Sequence, residues 1–429
     1  MAGNMRECDL VVIGAGLAGS AAALFAARRG LRVVQAGGTG ALAYTNGYFD
    51  ILGAIPSPDP NGGIHLPESP FSGFEKLLAS YPGHPYRLTP PRTIKAALAE
   101  WMDFLTSRGL PYMASDESNV VAASPVGTLK HTYALPTTMW PFGTLLKEKP
   151  EGLLVDFHGL NGFSARQVTA NLRLLWPGLR SERIRFPGHE GGEVFPENAA
   201  RSLELPRHRE TLAETVRPLL GGATCLGFPA LLGLHRSQEV RDDLENRLGV
   251  TVFEIPTMPP SVPGIRLREV VEGGLPELGV ELYSQQMVRL VKLDGSGLEF
   301  LVHGQSVERR VRCRGAILAS GRFLGGGLES THTEIRETVF GLPVAQPADR
   351  SEWHRPDYFD PCGHPVQQSG IEVDERFHPL GAGGKPMCPN LYAAGSILAH
   401  QDWMRMKCGA GVALATALGA VESFIAERA

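Results

Sequence analysis

The segment Gly14-Ala15-Gly16-Leu17-Ala18-Gly19 has the G-x-G-x-x-G spacing that brings a phosphate to the start of a helix. Glycines there allow a tight turn and let backbone N–H groups reach an anion at a helix N-terminus. The context fits: the apolar run 9–13 (DLVVI) has strand length, Leu17–Arg29 is alanine-rich, Gly30 stops that helix, and Leu31–Val34 begins a second strand. A dinucleotide site wants an acidic residue roughly 20 positions after the first glycine, to accept from the adenosine ribose. Here that stretch reads Val34-Gln35-Ala36-Gly37-Gly38, and no acidic side chain occurs between Leu10 and Phe49. The pattern favours a mononucleotide, or else an adenosine ribose held by backbone or by Gln35.

Two more apolar runs break into glycine far along the chain, Arg314–Gly321 (RGAILASG) and PNLYAAGS ending at Gly395-Ser396, and Gly409–Gly411 opens a last helix. Such strand ends must lie side by side to form one site, because open parallel sheets bind ligands at their carboxyl ends. In the final helix Leu414, Leu418, Val421 and Ile425 recur on one face. Asp294-Gly295-Ser296-Gly297 reads as a hairpin between Met287–Lys292 and Gly297–His303. Prolines at 56, 58, 60, 67 and 70 mark a boundary near 56, and helices are expected at Thr93–Arg108, Ser164–Trp176, Glu210–Leu220, Ser237–Leu248 and around Ser261–Gly274. The stretch from 56 to about 250 carries no legible motif.

Composition sets outer limits. The 429 residues suggest two or three domains, and 43% apolar against 20% charged residues excludes a disordered chain. A formal charge of -4 without any block of like charge argues against nucleic acid. The six cysteines are scattered with no C-x-x-C pair, which predicts a reduced, cytoplasmic setting and no metal or Fe–S site in this chain. Leu10 to Ala27 is free of charge, but Gly14, Gly16 and Gly19 interrupt it and Glu7 and Asp9 precede it, so it reads as strand, turn and helix rather than a membrane span or leader.

The GAGLAGS opening, Ala43–Gly53 (AYTNGYFDILG), ILASGRFLGGG and PNLYAAGS followed by KCGAGVALATA together resemble the B-subunit family of anaerobic glycerol-3-phosphate dehydrogenase, part of the glutathione-reductase-like flavoprotein group. The resemblance implies an α/β fold: a Rossmann-like, three-layer flavin-binding domain on a parallel sheet, with an inserted α+β cap or substrate domain. The expected division is 1–55, 250–330 and 385–429 for flavin, 56–249 for the insert, and 331–384 as a connecting piece near the flavin. It also implies FMN, with FAD as the alternative. The partners would be an FAD-containing A subunit and an Fe–S-bearing C subunit, which alone brings the chain to the inner membrane, and glycerol 3-phosphate would be oxidised with electrons passing to quinone.

On that basis the flavin phosphate belongs with Gly14, Ala15, Gly16, Leu17, Ala18 and Gly19. Thr45 and Asn46 would meet the ribityl chain or ring edge, and Ser320, Gly321, Gly395 and Ser396 would let the cofactor pass two strand ends. Gly409, Ala410, Gly411 and Val412 would aim a helix dipole at the reduced ring. Oxidising a secondary alcohol needs a base, for which His364 and His400 are the candidates, and a phosphate clamp, for which Arg322 and Arg405 stand out, with Arg336 and Lys407 also available. Two other readings remain: an FMN electron-relay and assembly subunit without its own catalysis, and a nicotinamide-binding Rossmann protein, which would be colourless.

Overall fold

A computed structural model describes residues 5–38, 41–189, 191–294, 297–304 and 308–428. The chain divides into two compact units: one of 1–41, 50–101 and 271–429, the other of 42–49 and 102–270.

The first unit is built on a seven-stranded sheet. Strands Glu281–Ser284, Val33–Gly37, Arg6–Ile13 and Glu308–Leu318 lie side by side in parallel, and Leu391–Ala393 joins the far side of the last, also in parallel. Strand Glu308–Leu318 has three partners, Arg6–Ile13 along one edge and Gly297–His303 then Leu391–Ala393 along the other. Its first half pairs antiparallel with Gly297–His303, itself paired with Met287–Asp294, and there burial alternates with period two; its last four residues are all buried, as a parallel strand covered on both faces requires. The hairpin expected between Met287 and His303 is present, with Asp294 opposite Gly297; Gly295 and Ser296 lie outside the described residues.

Helix Leu17–Arg28 follows the first strand and is buried almost throughout from Ala18 to Ala26. It packs on the closing helix Gly409–Ala426, whose small residues, among them Ala413, Ala417 and Ala420, permit close approach. The closing helix is long and apolar enough to cross a membrane, yet 67% of it is buried inside the protein. An all-round apolar helix has its place in a core.

The second unit is a four-stranded parallel sheet in the order Leu179–Ile184, Gly152–Phe157, Cys225–Pro229, Thr251–Ile255, with two short antiparallel pairs beside it. Helices Ala165–Leu172, Pro196–Leu203, Pro206–Val216 and Ser237–Leu248 connect its strands. Trp176, Phe142 and Phe253 fill its core. The antiparallel pairs fit the α+β description expected of the insert, but its main sheet is parallel, because the fully apolar runs at 153–155 and 226–228 are buried on both faces.

The expected boundaries at 56 and 250 are corrected to 101/102 and 270/271. The proline-rich stretch after 56 stays with the first unit, where the Tyr86 hydroxyl donates to the Ile51 carbonyl and Arg29 pairs with Glu100 at 3.2 Å. Two of the divisions fall inside the helices Pro91–Thr106 and Val262–Glu277, where composition does not change, and two more, at 41/42 and 49/50, set off the short segment 42–49.

At the heart of the second unit Arg266 and Glu254, 2% and 1% exposed, form a two-pronged ion pair at 2.7 and 2.8 Å. Glu254 also accepts from the Thr138 hydroxyl and the Leu232 amide, and Arg266 donates to the Gly233 carbonyl. Every prong is used. Arg266→Met, which strands the Glu254 charge, should lower unfolding free energy in urea by about 3–5 kcal/mol, with Glu254→Leu added in the same chain recovering part of that loss.

Candidate functional site

Four strand ends of the first unit are in register. Ile13 lies opposite Ala36 on one side and Leu318 on the other, and Leu318 lies opposite Ala393. Beyond each strand the ladder continues: the Gly14 amide donates to the Ala36 carbonyl at 2.7 Å, Ala319 to Ile13 at 2.8 Å and Ala394 to Leu318 at 3.0 Å. The glycine corners at 14–19, 320–321 and 395 are thereby brought to one sheet edge.

The three glycines of the opening turn have different reasons. Gly14 has φ +128°, and a Cβ there would stand 2.2 Å from the Ala319 carbonyl oxygen; one on Gly19 would stand 2.2 Å from the Gly14 oxygen. A Cβ on Gly16 would meet nothing within 4 Å. The first and third glycines close the turn, and the second faces open space at the start of a helix with no acidic residue in its first turn. Gln35 is buried and donates to the Gly14 carbonyl at 2.9 Å, so its amide N–H serves the turn. A side chain on Gly37 would stand 2.8 Å from the Ala15 nitrogen. Nothing acidic can occupy the end of that strand without displacing the turn.

At the second corner the buried Ser320 hydroxyl has no partner among the described residues. At the third, Gly395 (φ +83°) approaches the first helix so closely that a Cβ would lie 2.4 Å from the Cβ of Ala18, and its amide donates to Thr416. A backbone cradle open at Gly16 and an unsatisfied hydroxyl at Ser320 fit a cofactor with an anionic tail and a polar ring.

The other expected residues divide. Thr45 and Asn46 belong to the second unit, where both side chains close a local turn: Thr45 donates to the Leu42 carbonyl and Asn46 accepts from the Tyr48 amide. At the closing helix the Gly411 amide is committed to the Asp50 carbonyl at 2.8 Å, and Gly411 makes room for Tyr86, whose oxygen would be 2.1 Å from a Cβ. Two ionisable groups at that helix start are held neutral by burial. The buried Cys408 sulfur lies 3.7 Å from His84 Nε2; burial holds the His84 imidazole down to about 3 and pushes the Cys408 thiol well up.

Arg322 is corrected from substrate clamp to loop tie. Its guanidinium donates to the carbonyls of Ser396, Gln367, Leu398 and Gln401, and burial lowers its pKa to about 10. Arg405 donates to the Pro361 carbonyl and packs against Gly363. His364 has both ring nitrogens engaged, Nδ1 accepting from the Arg355 amide and Nε2 on the Tyr358 carbonyl, so it braces a turn. His400 differs. Its Nε2 is 2.7 Å from Glu372, and it lines a cavity of about 340 Å³ shared with Arg355, Cys362, Gln368 and Ser369. Sequence reading missed Glu372, Arg355 and Gln401. Gln401 lies between the Gly395-Ser396 strand end and the Gly409–Gly411 helix start, whereas Glu372 is 28 residues from its partner and gave no signal.

A family model described as an FAD binding domain matches residues 9–412. The B subunit of anaerobic glycerol-3-phosphate dehydrogenase from Pectobacterium atrosepticum is 30% identical, covering 98% of this chain and 99% of that one. The chain belongs to that B-subunit family. The same protein from Vibrio vulnificus is 29% identical over 97% of this chain and 96% of its own. Among solved structures, 3-ketosteroid delta1-dehydrogenase from Sterolibacterium denitrificans is 11% identical, covering 99% of this chain and 100% of that one at a TM-score of 0.42. For 3-ketosteroid-delta4-(5alpha)-dehydrogenase from Rhodococcus jostii RHA1 the values are 12%, 98%, 96% and 0.38. Membership makes the chain a flavin-binding component of an oxidoreductase.

Gly16→Glu places a carboxylate where the anion approaches but contacts no neighbour at Cβ. The purified variant should lose its flavin absorbance while its far-UV circular dichroism stays that of the parent; full flavin occupancy would refute the phosphate assignment.

Proposed function

We propose that this chain is the FMN-bearing B subunit of an anaerobic glycerol-3-phosphate dehydrogenase, oxidising sn-glycerol 3-phosphate to dihydroxyacetone phosphate and passing electrons through an Fe–S-bearing C subunit to quinone. An FAD-containing A subunit is its other partner, and the chain is cytoplasmic, meeting the inner membrane through the C subunit. The observation that carries this reading is the alignment of three glycine corners at one sheet edge in a chain 30% identical, end to end, to a relative of that name. FMN is favoured over FAD because the second strand ends in Gly37, which has no room for a side chain, and Gln35 is tied to Gly14, so an adenosine ribose finds no carboxylate there.

When bound, the flavin supplies a hydride acceptor. The protein's own contribution is the base. With Nε2–H of His400 donating to Glu372, Nδ1 is left to take the hydroxyl proton as the alcohol carbon gives up hydride, and Arg355 in the same cavity, whose Nε donates to the Gly363 carbonyl at 3.2 Å and lies 3.7 Å from Asp360, has its terminal N–H groups to offer the substrate phosphate. The relay reading has one observation of its own: Leu324, Tyr358 and Phe359, each at least 80% exposed, crown loops of the same unit, as a docking surface would require.

Cofactor extraction tests the first step. Released FMN supports the assignment, FAD overturns the mononucleotide reading while keeping the fold, and a colourless protein removes the flavin function. Anaerobic mixing with glycerol 3-phosphate tests the second: His400→Asn should slow flavin reduction by roughly 10²-fold or more at unchanged flavin content. An unchanged rate would remove His400 as base, and a parent chain whose flavin is never reduced by substrate would favour the relay.

A further inference from the structure

Gln401 is fully buried, six residues past the Gly395 corner. Its Nε2 lies 3.4 Å from the Gly395 carbonyl and 3.2 Å from that of Leu398, while its own backbone carbonyl accepts from Arg322 at 2.9 Å. These contacts set the amide's orientation, since the flipped form would press Oε1 against two carbonyl oxygens. Oε1 is then a buried acceptor with no donor among the described residues. A buried amide oxygen without a donor is unfavourable, and such groups call for a specific partner.

The partner's chemistry follows from the polarity of the group. Gln401 can offer only an acceptor, because both its donors face carbonyls. The polar edge of an oxidised isoalloxazine consists of acceptors, N1, O2, O4 and N5, with a single donor, N3–H, and N3–H is unchanged on reduction. We propose that Gln401 is a flavin-positioning residue whose Oε1 accepts from N3–H of the ring, an assignment that rests on the flavin reading above. The Arg322 and Gln401 bonds together hold the 395–401 loop in one shape, so the acceptor is fixed in place before the ring arrives.

The test is a cycle of protein and ligand. Flavin-free parent chain, Gln401→Leu and Gln401→Met are titrated with FMN and with its N3-methyl analogue, following quenching of flavin fluorescence, after circular dichroism has confirmed that each is folded. The parent should bind the methylated flavin about tenfold more weakly than FMN, as loss of one hydrogen bond to a buried group implies. The variants should bind FMN about tenfold more weakly than the parent does and show no further loss on methylation. Equal losses on methylation in parent and variants would overturn the proposal, as would a parent that binds both flavins alike, a result that needs no variant to fold. A parent that binds no flavin at all would instead refute the flavin reading itself.

Discussion

Backbone crowding at one sheet edge governs the first unit. The Arg6–Ile13 and Glu308–Leu318 strands end in register, and the chain beyond Ile13 must turn at once to start a helix, which leaves 2.2 Å between a Cβ position on Gly14 and the Ala319 oxygen. Only glycine fits, and its φ of +128° is open to no other residue without strain. The same turn is held from the other side by Gln35, and the helix it launches is pressed against Gly395 at the third corner. The positions of three separate corners are therefore coupled through a handful of contacts that no larger side chain could make.

That edge carries few charges of its own. The opening turn contains none, a neutral histidine and a neutral thiol stand at the start of the closing helix with Asp50 and Asp402 near by, and the guanidinium of Arg322 is spent on four carbonyl oxygens. Backbone amides at a helix start can carry an anion's charge without bringing a counter-ion. His400 and Arg355 line one cavity, where the Glu372 carboxylate lies 2.7 Å from the imidazole and Asp360 lies 3.7 Å from the guanidinium.

The second unit obeys a different constraint. Its parallel sheet buries long apolar runs on both faces, and in that core Arg266 and Glu254 satisfy one another with support from Thr138, Leu232 and Gly233. A buried pair with every prong occupied penalises any arrangement that separates it, so it helps to specify how the last strand and the following helix meet.

Local patterns determined a good deal. The strand, glycine turn and alanine-rich helix at the start, the helix Ser237–Leu248 and the closing helix follow from propensity and spacing over a dozen residues, and the missing ribose carboxylate can be read directly from composition. The end-to-end motifs were enough to indicate the family. Tertiary structure decided what each polar residue does. His364, Arg322 and Arg405 looked as available for chemistry as His400, but a guanidinium or imidazole is claimed by whichever carbonyl folding brings within about 3 Å, and those carbonyls lie up to 79 residues away. The domain boundaries at 101/102 and 270/271 escaped for a related reason: they fall within continuous helices, whose hydrogen bonds run unbroken across the division and leave no mark in composition.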